Sequence, residues 1–204
     1  MASGNTTDAW FGGGATPGAI STVDRIIFSA DTATAVAKGP LSLARGASPA
    51  SGNSTDAWFG GGAAGPAKVS TVDRIIFASD TATAVAKGPL SLARAYSGAS
   101  SNSTDAWFGG GTTYPSVPGA KSTVDRIIFA SDTATAVAKG PLSSARYGLA
   151  ASGNAATNAW FGGGYDSSLA GASYIVDKVI FASDTATAVA KGPLSATRYN
   201  LASN

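Results

Sequence analysis

The sequence of 204 residues has no cysteine, no histidine, no glutamate and no glutamine, so all 12 of its acidic residues are aspartate. Without cysteine there are no disulfides and no thiol nucleophile. Without histidine the chain lacks an imidazole base and the commonest transition-metal ligand. Glutamate and glutamine are good helix formers, and their loss beside abundant Gly, Ser, Thr and Ala favours an all-β fold. We therefore predict no catalytic residues, no metal site and no cofactor.

Charge and hydropathy exclude two classes of partner. The net charge is +2, and the lysines and arginines are spread along the chain rather than gathered in the basic patch that nucleic-acid binding needs. Apolar runs such as Ile26-Ile27-Phe28 are far shorter than a membrane span. The first residues lack the basic and apolar regions of a signal peptide. We expect no nucleic-acid partner, no membrane insertion and no signal peptide, so a virion or extracellular location requires another export route.

Four near-identical repeats fill the chain. The string Ala-Trp-Phe-Gly-Gly-Gly has its tryptophan at positions 10, 58, 107 and 160, with spacings of 48, 49 and 53 residues. A second string begins with Val-Asp at 23, 72, 124 and 176 and runs through Gly-Pro-Leu-Ser to an arginine. Near identity over this length indicates recent amplification of one unit, or deliberate design.

Each repeat reads as four extended segments. In the first copy three of these are an aromatic strand at 8–14, a β-branched strand at 22–29 and a strand at 33–38, which Gly39-Pro40 ends. A tight turn at Asp31-Thr32 joins the last two. A small, polar fourth segment follows each arginine, at 46–53, 95–102, 147–154 and 199–204. Four strands per unit of roughly 40–50 residues indicate a β-propeller blade. A two-layer sandwich gives no reason for a fixed period, and a β-solenoid has shorter coils.

The order of these features resembles the kelch repeat, in which paired glycines end the second strand and a large aromatic closes the third. In the first repeat Gly12 to Gly14 and Phe28 match, and the other three repeats match in the same way. The sequence departs from the family at the fourth strand, where kelch repeats carry a tryptophan and this chain has Ala35, Ala84, Ala136 and Ala188. The repeat also resembles tandem repeats of uncharacterised marine bacteriophage proteins. The resemblance implies an all-β, four-bladed kelch-like β-propeller with four antiparallel strands per blade.

The two chain ends suggest how the ring closes. The chain opens on the second strand type, at 8–14, and ends on the first strand type, at 199–204. We predict that the C-terminal segment pairs with the N-terminal strands, because this removes exposed strand edges. We expect repeats at 1–45, 46–94, 95–146 and 147–198 within one domain. Closure within one chain gives a monomer, which we prefer; closure between two chains gives a dimeric eight-bladed ring.

One lysine and one arginine recur in every repeat. They form two predicted rings near the connection from the outer to the inner strand: Lys38, Lys87, Lys139 and Lys191, and Arg45, Arg94, Arg146 and Arg198. Converging guanidinium groups suit an anionic ligand, so these residues are candidate binding groups. The alternative is that each arginine braces its own blade. The recurring Asp31 in the turn is expected to cap that turn, since one carboxylate is too few for calcium.

The loops after the triple glycines differ in every repeat, at 15–20, 63–69, 112–121 and 165–173. Two of these loops carry aromatic residues, Tyr114 and Tyr165. Divergent loops on a constant scaffold are typical of recognition surfaces, although drift in exposed loops explains them equally well. We predict a non-catalytic structural or recognition module of a phage virion or cell surface, binding a glycan or a protein through this loop face. The alternative is a designed scaffold without a natural ligand.

Overall fold

The computed structural model describes residues 2–113, 119–154 and 156–201. This part of the chain contains no α-helix and forms six antiparallel sheets, four of which have four strands. The prediction of an all-β fold is therefore confirmed, and the arrangement is of the β-propeller-like type.

Sheets 1 and 2 come from the first two repeats. Sheet 1 consists of β1 (Ala2–Gly4), β2 (Asp8–Ala15), β3 (Ala19–Ile27) and β4 (Val36–Lys38), paired in that order. The second repeat contains β5 (Ala50–Gly52), β6 (Asp56–Gly60), β7 (Ala63–Ala64), β8 (Ala67–Lys68), β9 (Val72–Ile76) and β10 (Val85–Lys87). Sheet 2 has the order β5-β6-β9-β10, and β7 and β8 form a separate hairpin.

Sheets 3 and 4 repeat this plan. Sheet 3 consists of β11 (Gly98–Ser101), β12 (Asp105–Gly109), β13 (Val124–Ile128) and β14 (Val137–Lys139). The fourth repeat contains β15 (Arg146–Tyr147), β16 (Ala150–Gly153), β17 (Asn158–Gly162), β18 (Tyr165–Asp166), β19 (Gly171–Ala172), β20 (Val176–Ile180) and β21 (Val189–Lys191). Sheet 4 has the order β16-β17-β20-β21, and β15-β18-β19 form a small sheet beside it.

Side-chain chemistry sets the turns of each sheet. Between the first two strands of sheet 1, Asn5 accepts hydrogen bonds from the backbone N–H groups of Thr7 and Asp8, as Asx turns do. After the third strand the chain makes one turn of 3-10 helix, at Phe28–Ala30, Phe77–Ser79, Phe129–Ser131 and Phe181–Ser183. The predicted strand at 22–29 therefore ends at Ile27, and the predicted strand at 33–38 shortens to β4.

The hydrophobic core lies between successive sheets. One cluster joins Trp10 of sheet 1 to Phe59 of sheet 2, and equivalent clusters lie between sheets 2 and 3 and between sheets 3 and 4. The first strands of neighbouring sheets also meet, β1 with β5, β5 with β11 and β11 with β16. These strands consist of Ala, Ser and Gly, and a Cβ added to Gly98 would lie 3.0 Å from the Cβ of Ala151. Small residues thus let the inner strands approach closely, as their composition predicts.

The prediction about the chain ends is wrong in one respect. Sheet 1 takes its first strand from β1 at the N-terminus, where Ala2 pairs with Phe11 and Gly4 with Ala9. The C-terminal segment is therefore not needed to complete this sheet. Residues 199–201 lie in no strand, and residues 202–204, the rest of the predicted closing strand, lie outside the described residues.

Candidate functional site

Three of the four predicted arginines lie between sheets, each in a buried ion pair. Arg94 follows sheet 2, and its Nη1 lies 2.7 Å from Oδ2 of Asp125 in sheet 3, with both side chains 0% exposed. The Nη2 of Arg94 also donates to the backbone oxygen of Phe108 at 2.8 Å. Arg45 with Asp73 and Arg146 with Asp177 repeat this pair. In this arrangement the three guanidinium groups have no surface open to a ligand.

Three of the four predicted lysines also join neighbouring sheets. Lys38 of sheet 1 places its Nζ 3.2 Å from Asp80, just after the 3-10 turn of sheet 2. The same carboxylate accepts a hydrogen bond of 2.9 Å from the indole Nε1 of Trp10. Lys87 with Asp132 and Lys139 with Asp184 repeat the ion pair. The carboxylate of the Asp80 type of residue therefore binds the preceding sheet, and its expected role in capping the turn stays a prediction.

Lys191, the last residue of sheet 4, and Arg198, which follows that sheet, differ from the other six. Both are exposed, and no ion pair within the described ranges includes either of them. Their side chains would reach a sheet after the fourth, as their counterparts reach the next sheet. The eight basic residues thus do not form one shared anion-binding surface in this structure.

The variable loops and the connections between sheets share one face. The connection after sheet 1 pairs with the following loop through a bridge between Gly46 and Ala63, and Ala95 pairs likewise with Thr112. In the fourth repeat the pairing is longer, because Arg146 and Tyr147 of β15 oppose β18. We call this the loop face. Tyr114, a predicted binding residue, lies outside the described residues.

Four tyrosines form a continuous row on the loop face. The ring centroids are 6.3 Å apart for Tyr96 and Tyr147, 5.4 Å for Tyr147 and Tyr165, and 5.9 Å for Tyr165 and Tyr199. Tyr96 and Tyr199 are 43% and 52% exposed, whereas the two central rings are half-buried. Burial, with the neighbouring tyrosines adding to it, raises the pKa of Tyr147 above its ordinary value of 10.0. Tyr147 therefore presents an uncharged phenol at neutral pH.

Tyr165 is held in place by its neighbour Asp166. This carboxylate is buried, and its Oδ1 accepts hydrogen bonds from the backbone N–H of Ser168 at 2.8 Å and from the Ser168 hydroxyl at 2.6 Å. Burial acts to raise the pKa of Asp166, but hydrogen bonds from Ser168, Ser144 and Leu169 together outweigh it and hold the pKa below its ordinary value of 3.8. The anionic form thus fixes the hairpin that carries Tyr165.

Next to the tyrosine row lies a cavity of ≈ 430 Å³ along the innermost strands. Tyr96, Gly148 and Asn200 line it together with the connecting residues Ala47 and Ser48. These connections are joined directly, because the backbone N–H of Tyr96 donates to Ala47, that of Gly148 to Tyr96 and that of Asn200 to Gly148. The lining carries no charged side chain. Its size lies within the range of small-molecule pockets.

Sequence reasoning identified Tyr165 but missed the other three tyrosines of the row. Tyr147 and Tyr199 directly follow the recurring arginine of their repeats, and Tyr96 comes two residues after Arg94. A tyrosine one or two residues after the arginine in three repeats is a signal visible in the sequence. Within residues 2–113, 119–154 and 156–201 there is no group of three acidic, histidine or cysteine side chains suited to a metal, nor a helix long and apolar enough to cross a membrane.

Comparison with known proteins supports the fold alone. No family model matches the sequence, and no curated protein matches it. Among solved structures, the structure of YjhT is similar, with a TM-score of 0.75 over 98% of this chain and 72% of that chain. The two sequences are 11% identical, so the likeness concerns backbone architecture. It agrees with the side-by-side packing of four-stranded sheets described above.

Proposed function

We propose that this chain is a non-catalytic recognition module, a kelch-like β-propeller arc in which sheets 1 to 4 are four blades, and that it binds a neutral glycan on the loop face. The observation that carries this proposal is the row of Tyr96, Tyr147, Tyr165 and Tyr199 beside the uncharged cavity. Tyrosine offers a rigid apolar face and a hydroxyl on one side chain, which suits a ligand with both kinds of surface.

The charge of the loop face favours a neutral sugar over an anion. Three of the four recurring arginines that would attract an anion, Arg45, Arg94 and Arg146, are buried in ion pairs, and burial raises the pKa of the central Tyr147 above its ordinary value. A sugar ring can stack its C–H groups on a phenol ring while its hydroxyls hydrogen bond to the phenol oxygens and to Asn200 at the cavity rim. The glycan is thus the ligand class that matches both the aromatic and the polar groups.

The module is non-catalytic because its buried carboxylates are engaged in ion pairs and hydrogen bonds that hold the fold together. Asp73, Asp125 and Asp177 are fully buried in ion pairs with arginines, and Asp166 fixes a hairpin. General acid–base cleavage of a glycan needs two carboxylates facing one cleft, and the ≈ 430 Å³ cavity has none in its lining. Binding without turnover suits an attachment component of a virion or a cell surface, the setting that the phage-like repeats suggest.

A glycan array tests the proposal, followed by titration calorimetry with the best-bound glycan. We expect Tyr147→Ala and Tyr165→Ala each to weaken binding at least tenfold, about 1.4 kcal/mol, because central aromatic residues dominate such interfaces. Tyr174→Ala is the matched control, since Tyr174 is 51% exposed and takes part in none of the ring contacts of the row. We expect it to bind as the unchanged chain does.

Two results would overturn the proposal. The first is glycan binding that Tyr147→Ala and Tyr165→Ala leave unchanged, because the ligand would then lie elsewhere. The second is the absence of binding to any glycan, which agrees instead with a protein ligand or with a scaffold that has no natural ligand.

A further inference from the structure

We propose that the exposed faces of sheet 1 and sheet 4 bind each other between two copies of this chain, end to end. Three kinds of contact that join sheet 1 to sheet 2 recur between sheets 2 and 3 and between sheets 3 and 4: a phenylalanine over a glycine, a stacked tryptophan and phenylalanine, and ion pairs between a basic residue and an aspartate. The residues that would make a fourth set of these contacts are present on the outer faces of sheets 4 and 1. Five of them are exposed and two, Trp160 and Asp24, are half-buried; the exposed ones are Phe11, Phe28, Asp31, Lys191 and Arg198. The inference uses none of the tyrosines of the proposed glycan site, and of its residues Phe11 also lines the cavity beside them.

The first complementary pair is a glycine and a phenylalanine. In each internal interface the phenylalanine of one sheet covers a glycine of the sheet before it. A Cβ added to Gly12, Gly60 or Gly109 would lie 2.9, 2.7 or 2.6 Å from the ring of Phe59, Phe108 or Phe161. These three rings are 0% exposed, whereas Phe11 on sheet 1 is 43% exposed. At Gly162 on sheet 4 an added Cβ would meet only Val176 and Leu194, at 3.7 and 3.9 Å. Phe11 and Gly162 are thus unmatched halves of the same contact.

The second pair is a tryptophan and a phenylalanine. Trp58 of sheet 2 stacks on Phe129 of sheet 3, with ring centroids 3.8 Å apart and an interplanar angle of 8°. Trp10 with Phe77 and Trp107 with Phe181 make the same stack. At the chain ends Trp160 is half-buried and Phe28 is 49% exposed, and no such stack joins them.

The charges of the two end faces are opposite. Asp31 on sheet 1 corresponds to Asp80, and it is exposed where Asp80 is buried against Lys38 and Trp10. Sheet 4 presents Lys191, the counterpart of the lysine that binds Asp80. It is followed by Arg198, the counterpart of the arginine that binds Asp73, whose equivalent in sheet 1 is Asp24. The outer face of sheet 1 is thus acidic and apolar. The outer face of sheet 4 is basic, and at Gly162 it has no side chain to prevent a phenylalanine ring from packing on it.

Lys178 supports the assignment of a basic face to sheet 4. In sheets 1 to 3 the equivalent arginine binds an aspartate of its own sheet, as Arg25 binds Asp8 at 2.8 Å. In sheet 4 the ammonium group of Lys178 lies over Trp160, 5.6 Å from the ring centroid, as the arginines of the other sheets do over their tryptophans. The aspartate, however, is replaced by Asn158, so Lys178 has no carboxylate from that position of its own sheet. The Asp31 of a second copy would supply the counterion, because Arg74 reaches Asp132 of the next sheet at 3.6 Å in the same way.

The interface so assembled is heterologous, since two different faces meet. It would add one more copy of an interface that the chain already builds three times with the same residue types. The contact also removes two exposed aromatic faces from water, which is the main favourable term in association. A second copy of this chain is the partner because it carries both faces.

Gly192→Ala tests the proposal without disturbing the single chain. An added Cβ at Gly192 meets no atom within 4 Å, whereas at Gly39, Gly88 and Gly140 it would overlap the backbone oxygen of an alanine in the next sheet. We expect the unchanged chain of 20.0 kDa to show, by sedimentation velocity and light scattering, a mass that rises with concentration to twice that value or more. Gly192→Ala should weaken this association at least about tenfold and leave the melting temperature of the dilute protein unchanged. Gly88→Ala, its matched control, should lower the melting temperature, because it acts inside the chain.

Mixing two variants tests whether different faces meet. Phe11→Ser removes the aromatic ring that sheet 1 contributes to the interface, and Gly192→Ala adds a methyl group that obstructs binding at sheet 4. Each variant alone should therefore stay monomeric. Their mixture should form a complex of two chains and no larger species, because one intact face of each kind remains. A mass of one chain for the unchanged protein at every concentration would overturn the proposal. So would a lower melting temperature of dilute Gly192→Ala, because the two end faces would then meet within one chain.

Discussion

The buried ion pairs between sheets allow a matched test of how the sheets are held together. Asp125 is 0% exposed and accepts hydrogen bonds from Arg94 at 2.7 Å and from the backbone N–H of Ser91 at 3.1 Å. Asp125→Ala leaves the guanidinium group of Arg94 buried without its counterion. Breaking one partner of a buried pair in this way costs about 3–5 kcal/mol of unfolding free energy.

The same substitution at the start of the chain is the control. Asp24 occupies the position of Asp125 in sheet 1, but it is only half-buried, and no ion pair joins it to Arg198 within the described chain. We expect Asp24→Ala to change the unfolding free energy by no more than about 0.5 kcal/mol, as surface substitutions do. Both variants are made in the Gly192→Ala background, so that association does not contribute.

Urea denaturation followed by tryptophan fluorescence measures both values, because Trp10, Trp58 and Trp107 are buried in the interfaces between sheets. A shift of the urea midpoint at constant slope reports the loss of stability. Equal destabilisation by Asp125→Ala and Asp24→Ala would refute the reasoning, since it would mean that Asp24 also has a buried partner in the dilute chain. A small effect of Asp125→Ala would show that the ion pair contributes little to the packing of sheets 2 and 3.

Three further outcomes follow from the packing and the charges. Ala151→Phe overpacks the innermost strands and should destabilise by about 1–3 kcal/mol in thermal melts, whereas an unchanged melting temperature would mean that the site has room. Phe59→Ala should cost about 3–5 kcal/mol in urea denaturation because its ring is fully buried, and Phe11→Ala in the dilute monomer should cost much less. The hydrogen bond from Arg25 holds the pKa of Asp8 below its ordinary value of 3.8. Asp8 therefore contributes stability that is present above pH 3.8 and lost as the pH falls through its folded pKa. Asp8→Asn should reduce this acid dependence of the melting temperature, and an identical pH profile would contradict the assignment.

The sequence predicts most of the sheet architecture because the repeats are nearly identical. The period and the β-branched string from Val72 to Ile76 were enough to place the strands of each unit, since such strands are buried on both faces. The first strand of sheet 1 was missed, although Ala2-Ser3-Gly4-Asn5 repeats as Ala50-Ser51-Gly52-Asn53. A segment this short and polar has little strand propensity of its own, and its pairing with β2 determines its structure.

The candidate site was predicted only in part, because it depends on contacts between repeats. The sequence shows that Arg45 recurs in each unit, but only the fold shows that its partner is Asp73 of the next unit, 28 residues away. The tyrosine row has the same origin: Tyr96 and Tyr147 lie in different repeats, and their rings meet because neighbouring connections are joined by backbone hydrogen bonds. Both contacts join residues of different repeats, so the sequence pattern of a single repeat predicts neither of them.

The serial packing of the sheets has a consequence for amide hydrogen exchange. Sheets 2 and 3 are covered on both sides, whereas sheets 1 and 4 each have one neighbour within the described chain. In a linear array of similar units, local opening starts at the terminal units and rarely at the central ones. Protection should therefore fall from β9 and β13 in the middle towards β3 and β20 at the ends. A partner seated at either end would slow exchange first in the terminal sheet that it covers.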